Sequence, residues 1–118
     1  MMRRGEVWLV ELDPAVGSEA NKTRRVIIVS NNARNSVSSR TGRGVLTVVP
    51  FTKNVHRILP FQVLVTPDNA NGLEVDSKAQ AEQVRSLDVS RFVRRLGVLS
   101  SEDVAAVDEA LLLHLGLE

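Results

Sequence analysis

Arg24 and Arg25 stand side by side directly before the apolar run Val26-Ile27-Ile28-Val29-Ser30. A guanidinium carries fixed donors that match phosphate oxygens and the negative charge that develops on a pentacovalent phosphorus. The loop ahead of them supplies Ser18, Glu19, Asn21 and Lys22, so hydroxyl, carboxylate, amide and ammonium groups precede a rigid strand where a phosphodiester could be held. Two arginines before a strand equally suit a solvated edge or a source of salt bridges, and the pair alone does not define a site. Thr52 closes the run Val48-Val49-Pro50-Phe51-Thr52 and is followed by Lys53, Asn54 and His56. Threonine is common in strands, so it too needs company. Ser77, Gln83 and Arg85 add further polar edges downstream.

Other chemistries find little support. There are no cysteines, which removes disulfides, thiolate metal sites and cysteine nucleophiles. His56 and His114 are the two histidines, and neither sits in a context that pairs it with a serine and a carboxylate. His114 falls near the apolar stripe of a C-terminal helix, where packing or an interface is its expected use, and His56 belongs to a basic segment. No metal or other cofactor is called for.

With 118 residues and 13.0 kDa, the expectation is one domain spanning 1–118. Its 43% hydrophobic and 25% charged content is ordinary for a folded soluble protein. An acidic residue, Glu6, interrupts the start before any run of signal-peptide length, and no run reaches the length of a membrane span. A cytoplasmic location without membrane contact is expected. The net charge is only +1, yet residues 1–60 hold ten Lys/Arg against four Asp/Glu and residues 61–118 hold five against ten. This asymmetry suits an anionic partner for the first half, or two halves that interleave into a mixed surface.

These residues need elements to position them. Short apolar runs at Glu6–Leu12, Val26–Ser30, Gly44–Pro50, Phe61–Val65, Gln83–Leu87 and Phe92–Val98 read as strands. Strands so closely spaced point to a small barrel or a strongly bent sheet. The polar stretch Asn31–Ser39 reads as a short helix or loop before a turn at Thr41–Gly44. Ser100 followed by Ser101-Glu102-Asp103 is an N-terminal cap, and Val104, Val107, Leu111 and Leu115 follow at helical spacing, which predicts a final amphipathic helix. The four aromatics Trp8, Phe51, Phe61 and Phe92 lie in apolar contexts that suit a core better than a base-stacking platform.

Three motifs in order, Gly17-Ser18-Glu19 leading to Arg24, Val48-Val49-Pro50-Phe51-Thr52, and Glu82-Gln83-Val84-Arg85, resemble the MazF/PemK toxin family of messenger-RNA endoribonucleases. The similarity runs from Arg4 to Leu115 and includes the helical pattern Val107-Asp108-Glu109-Ala110-Leu111. Family members usually carry proline after the arginine, where this chain has Arg25, a departure that loosens the backbone and adds charge.

The resemblance implies a β-rich α+β fold, an SH3-like, strongly bent antiparallel barrel with short helices and a C-terminal amphipathic helix. It further implies the toxin of a type II toxin–antitoxin system, a metal-independent, sequence-specific endoribonuclease that cuts single-stranded RNA. Attack by the 2′-hydroxyl would leave a 2′,3′-cyclic phosphate and a 5′-hydroxyl. Arg24 and Thr52 would be catalytic. Ser18, Glu19, Asn21, Lys22, Lys53, Asn54, His56, Ser77, Gln83 and Arg85 would contact RNA, and Arg25 joins them on its own guanidinium chemistry rather than by the resemblance. The implied partners are a second copy of the chain in a homodimer and a MazE-like antitoxin whose flexible, acidic and apolar C-terminal tail occupies the RNA groove. Fold does not fix function, so the main rival is a toxin on the same barrel that binds and poisons DNA gyrase without cutting RNA. A plain interaction module, or an inactive RNA binder, is the third reading.

Overall fold

The computed structural model describes residues 1–13 and 22–118. Ser18, Glu19 and Asn21 lie outside the described residues. The chain forms strands β1 (Glu6–Asp13) and β2 (Lys22–Ile28), helix α1 (Asn32–Thr41), strands β3 (Val45–Thr52), β4 (Gln62–Val65), β5 (Ser77–Gln80), β6 (Arg85–Asp88) and β7 (Phe92–Val98), and helix α2 (Ser101–Leu115). Single 3-10 turns at Ala81–Gln83 and Val89–Arg91 flank β6.

All described strand pairs are antiparallel, in the order β4-β5-β3-β2-β1-β7 with β6 also on β3. The bend centres on β3. One of its edges pairs with β2, while the other is shared by β6 along Val45–Val48 and by β5 at Phe51 and Thr52. Register shifts in β1 add local twist, between Val7 and Trp8, Leu9 and Val10, and Glu11 and Asp13. The sheet is strongly bent, as the sequence suggested, and remains open rather than closing into a barrel.

Apolar residues on both faces of the central strands are explained by a core on each side. Val7, Ile27, Val49, Phe51, Val65, Ala79, Leu99 and Val107 gather on one face, with Val104 and Leu111 of α2 packed against them. Val10, Val26, Ile28, Leu46, Val48 and Leu87 gather on the other. Alternation along Val26-Ile27-Ile28 and Val48-Val49 assigns successive side chains to opposite cores. Full burial of each such side chain contributes roughly 1.5–3 kcal/mol before entropy is counted.

The two helices are held differently. α2 is capped by Ser100, whose side chain accepts from the Asp103 N–H at 3.1 Å, carries Glu102 and Asp103 in its first turn and ends at Gly116 in the left-handed conformation. Arg4 clamps it to the sheet by pairing with both Asp108 carboxylate oxygens while its Nε donates to the Val29 carbonyl. α1 is capped by Asn31, and its buried side chains are the polar Asn35 and Ser38. Asn35 Nδ2 donates to the Ser30 carbonyl at 2.8 Å, and its Oδ1 accepts from Ser30 Oγ.

The strand pattern departs from expectation at β2, β6 and β5: β2 runs Lys22–Ile28 rather than Val26–Ser30, because pairing with β1 extends it through Arg24 and Arg25. The segment expected as a strand from Gln83 starts with a 3-10 turn and pairs only from Arg85. β5 is a strand without an apolar run: Ala79 is its one apolar residue, and β3 and β4 supply its partners. No helix among the described residues is long and apolar enough to cross a membrane.

Candidate active site

The ends of β2 and β3 build the site. Val26 pairs with Pro50, the last register pair between these strands. Arg24 lies two residues outward on β2 and Thr52 two residues outward on β3, beyond the hydrogen-bonded ladder. Both line a cavity of about 300 Å³ together with Thr23, Arg25, Phe51, Lys53, Glu74, Val75 and Ser77. Arg24 also lines a second cavity of about 370 Å³, where Leu12, Pro50, Gln80, Gln83 and Arg85 complete the wall. A strand-anchored, solvent-exposed guanidinium therefore borders two hollows.

Hydrogen bonding leaves donors free for a ligand. Thr52 Oγ1 accepts from the Asn54 N–H at 3.3 Å, and the hydroxyl retains its own proton for donation. Asn54 Oδ1 accepts from the His56 N–H at 3.2 Å, so this chain of contacts shapes the turn after β3. Lys78, opposite Thr52 in the β3–β5 pair, donates from Nζ to the Arg57 carbonyl at 2.7 Å and fixes the far side of the same loop. Among the described residues no carboxylate lies within ion-pair distance of Arg24.

The two arginines have different surroundings. Strand alternation starts their side chains on opposite faces of β2, and both residues border the first cavity where the β2–β3 ladder has ended. Arg25 is half-buried, its buried Nε has no hydrogen-bond partner among the described residues, and its terminal nitrogen sits 3.6 Å from Glu74 Oε1. Glu74 arrives on the segment between β4 and β5. That segment is seated by a close backbone crossing, in which the Val98 N–H donates to the Ala70 carbonyl at 2.9 Å and Gly72 and Gly97 leave no room for a Cβ.

Of the expected contact residues, Arg24, Arg25, Thr52, Lys53 and Ser77 meet at the first cavity, and Gln83 and Arg85 meet Arg24 at the second. Ser77 is buried with its hydroxyl donating to the Val75 carbonyl at 3.0 Å, which makes it a wall rather than a ready donor. Lys22, Asn54 and His56 are exposed but line neither hollow. Glu82 works behind the wall: its Oε2 accepts from Gln62 Nε2 at 2.6 Å, and Gln62 Oε1 accepts from the Leu59 N–H. Thr23, Glu74, Val75 and Gln80 had no sequence signal of their own. His56 and His114 do not form an acid–base pair: His56 is on the β3–β4 loop and His114 on α2, with its ring tilted against Phe61 at 6.1 Å between centroids. Among the described residues no group of three His, Cys, Asp or Glu side chains is placed to hold a metal ion.

The bent antiparallel sheet has counterparts among known proteins. The family of PemK-like, MazF-like toxins of type II toxin–antitoxin systems matches residues 3–115. The chain belongs to this family. It is 54% identical over 117 residues to endoribonuclease MazF9 of Mycobacterium tuberculosis, covering 99% of this chain and 98% of that one. Among solved structures, MazE-MazF from Deinococcus radiodurans matches with a TM-score of 0.78 and 25% identity over 99% of this chain and 97% of that one. An endoribonuclease in complex with its cognate antitoxin, from a mycobacterial species, superposes with a TM-score of 0.78 at 24% identity over 100% of this chain and 98% of that one, a likeness of fold.

Proposed function

We propose that this chain, an endoribonuclease of the PemK/MazF toxin family, cuts single-stranded RNA, chiefly messenger RNA, without a metal ion and so arrests translation and growth. The observation that carries the mechanism is the position of Arg24, exposed between two hollows with Thr52 lining one of them. A scissile phosphate at Arg24 would leave a nucleotide on each side to settle into the two hollows. The ribose 2′-hydroxyl attacks the adjacent phosphorus, the bond to the 5′-oxygen breaks, and the products are a 2′,3′-cyclic phosphate and a 5′-hydroxyl.

Arg24 acts on the charge that builds up on the phosphoryl oxygens. A guanidinium holds its proton too tightly to serve readily as a base, so the electrostatic role of Arg24 outweighs proton transfer. The Thr52 hydroxyl, already accepting from the Asn54 N–H, donates its proton to a phosphoryl oxygen. Arg25, Lys53, Ser77, Gln83 and Arg85 line the path of the strand, and Ser18, Glu19, Asn21, Lys22, Asn54 and His56 flank it. Buried Phe51 offers no stacking surface, so base choice rests on hydrogen bonds from these polar edges.

Two partners follow from the family. A second copy of the chain would pack on the apolar face of β4 and α2, where Leu64 and Leu113 are each about half exposed beside Ala106 and Ala110. A small cytoplasmic antitoxin with an acidic, apolar tail would compete with RNA for the basic hollows. The family match and the 54% identity to an endoribonuclease favour RNA cleavage over the gyrase-poison reading.

The test is digestion of a long unstructured RNA in EDTA with mapping of both ends at each cut. Discrete cuts with 5′-hydroxyl and cyclic-phosphate ends, abolished by a 2′-deoxy substitution at the cut nucleotide, are expected. Cuts that need a divalent cation, or that leave 5′-phosphates, contradict the mechanism.

A further inference from the structure

We infer that Arg25 is a second phosphate-binding group, held in reserve by Glu74, and that entering RNA displaces the Glu74 carboxylate from it. The inference rests on the RNA-cleaving reading above. Its starting point is an incomplete pairing. Glu74 Oε1 is 3.6 Å from the Arg25 terminal nitrogen, beyond hydrogen-bond range, and the Glu74 side chain is 76% exposed. Arg25 is 26% exposed, and its buried Nε has no partner among the described residues. Among the described residues, a guanidinium with five donors is thus met by one loose carboxylate contact.

The surroundings favour an anion over a neutral base edge. Among the described residues, Arg24, Arg25 and Lys53 line the cavity against the single carboxylate of Glu74, and Thr23 and Thr52 add hydroxyls. Phe51, the one aromatic in the wall, is 4% exposed. A phosphate neighbouring the one at Arg24 would find in Arg25 a planar fork suited to two oxygens. Glu74 is well placed to leave, because an exposed carboxylate is readily solvated and loses little by swinging outward. While it stays, it partly neutralises Arg25 and repels the incoming strand.

This arrangement makes opposite predictions for the two partners. Binding of a non-cleavable, 2′-O-methylated RNA to the full chain is measured as a function of salt for wild type, Arg25→Ala, Glu74→Gln and the double variant, with thermal melts to verify folding and cut-site maps on cleavable RNA. Arg25→Ala is expected to weaken binding roughly five- to tenfold and to reduce the slope of log K against log salt by about 0.7, the loss of one single-strand phosphate contact. Glu74→Gln is expected to tighten binding a fewfold, by clearly less once Arg25 is gone, and to leave the cut sites unchanged.

Weaker binding by Glu74→Gln would make Glu74 a support for Arg25 and overturn the inference. An unchanged salt slope in Arg25→Ala also overturns it, as does a change of cut sites in that variant, which would assign Arg25 to reading a base. In each of these cases wild-type cleavage of RNA would leave the nuclease reading standing. Failure of the wild type to bind RNA at all would remove both.

Discussion

Arg24 and Thr52 come from neighbouring strands, each two residues beyond the Val26–Pro50 pair, and line one cavity. Strand pairing up to Val26 and Pro50 fixes where these side chains start, while the open ladder beyond leaves space for a ligand between them. The catalytic roles proposed for both residues depend on this geometry. On the proposed mechanism it lets both residues present donors to one phosphate.

Thr52→Val keeps the shape and β-branching of the side chain and removes its hydroxyl. If that hydroxyl donates to a phosphoryl oxygen, the rate of the chemical step falls roughly 10²-fold, with RNA affinity changed far less. Thr52→Ser should recover much of the loss. Single-turnover kinetics with a short RNA separate the two quantities, and an equal loss in Thr52→Ser would assign Thr52 to packing.

The loop that carries Glu74 and Val75 to the cavity depends on a backbone crossing. A Cβ on Gly97 would lie 2.2 Å from the Ala70 carbonyl oxygen. Gly97→Ala should therefore cost about 1–3 kcal/mol in a denaturant melt and displace the loop. RNA cleavage should fall with it, although Gly97 touches neither cavity. Wild-type stability and activity in this variant would mean that the crossing is not what seats the loop.

Asp88 gives the fold an acid-sensitive contact. Its side chain accepts from the Ser90 N–H at 2.9 Å, and this bond, with the Ser90 hydroxyl and the nearby Arg91 charge, holds its pKa below the ordinary 3.8. A carboxyl with a lowered folded-state pKa adds stability that is fully present above its unfolded value and is lost as pH falls through the folded one. Asp88→Ala should lower the urea midpoint at neutral pH, and the gap to wild type should narrow at about pH 2.5, below the unfolded carboxylate range. A gap that widened in acid would reverse the sign of this effect.

Leu113 lies on the face of α2 beside β4, 45% exposed and lining a hollow with Leu64 and Ala110. If two copies meet there, Leu113→Asp buries an unpaired charge in the interface and yields a monomer in analytical ultracentrifugation. A dimer unaffected by the substitution would move the interface elsewhere.

Much of this architecture was legible in the chain because it rests on local apolar pattern. β1, β3 and the Val26–Ile28 half of β2 are short apolar runs, and α2 announces itself through the Ser100 cap and the spacing of Val104, Val107 and Leu111. β5 was not legible, since Ser77-Lys78-Ala79-Gln80 becomes a strand through the partners on either side. The α1 sequence suits helix or loop alike, because its buried contacts are Asn35 and Ser38 rather than an apolar stripe. Within the site, Arg24 and Thr52 could be singled out by motif and order. Glu74 and Val75 could not, because a long-range crossing at Gly72 and Gly97 brings them to β2.

The central claim is that Arg24 stabilises the reacting phosphate. Arg24→Ala and wild type are compared on one cleavable RNA in EDTA under single-turnover conditions, with binding of a non-cleavable analogue and a thermal melt measured in parallel. The account predicts a folded variant that binds RNA within about tenfold of wild type and cuts it roughly 10²- to 10³-fold more slowly. Near-normal cleavage by a folded Arg24→Ala protein would contradict it.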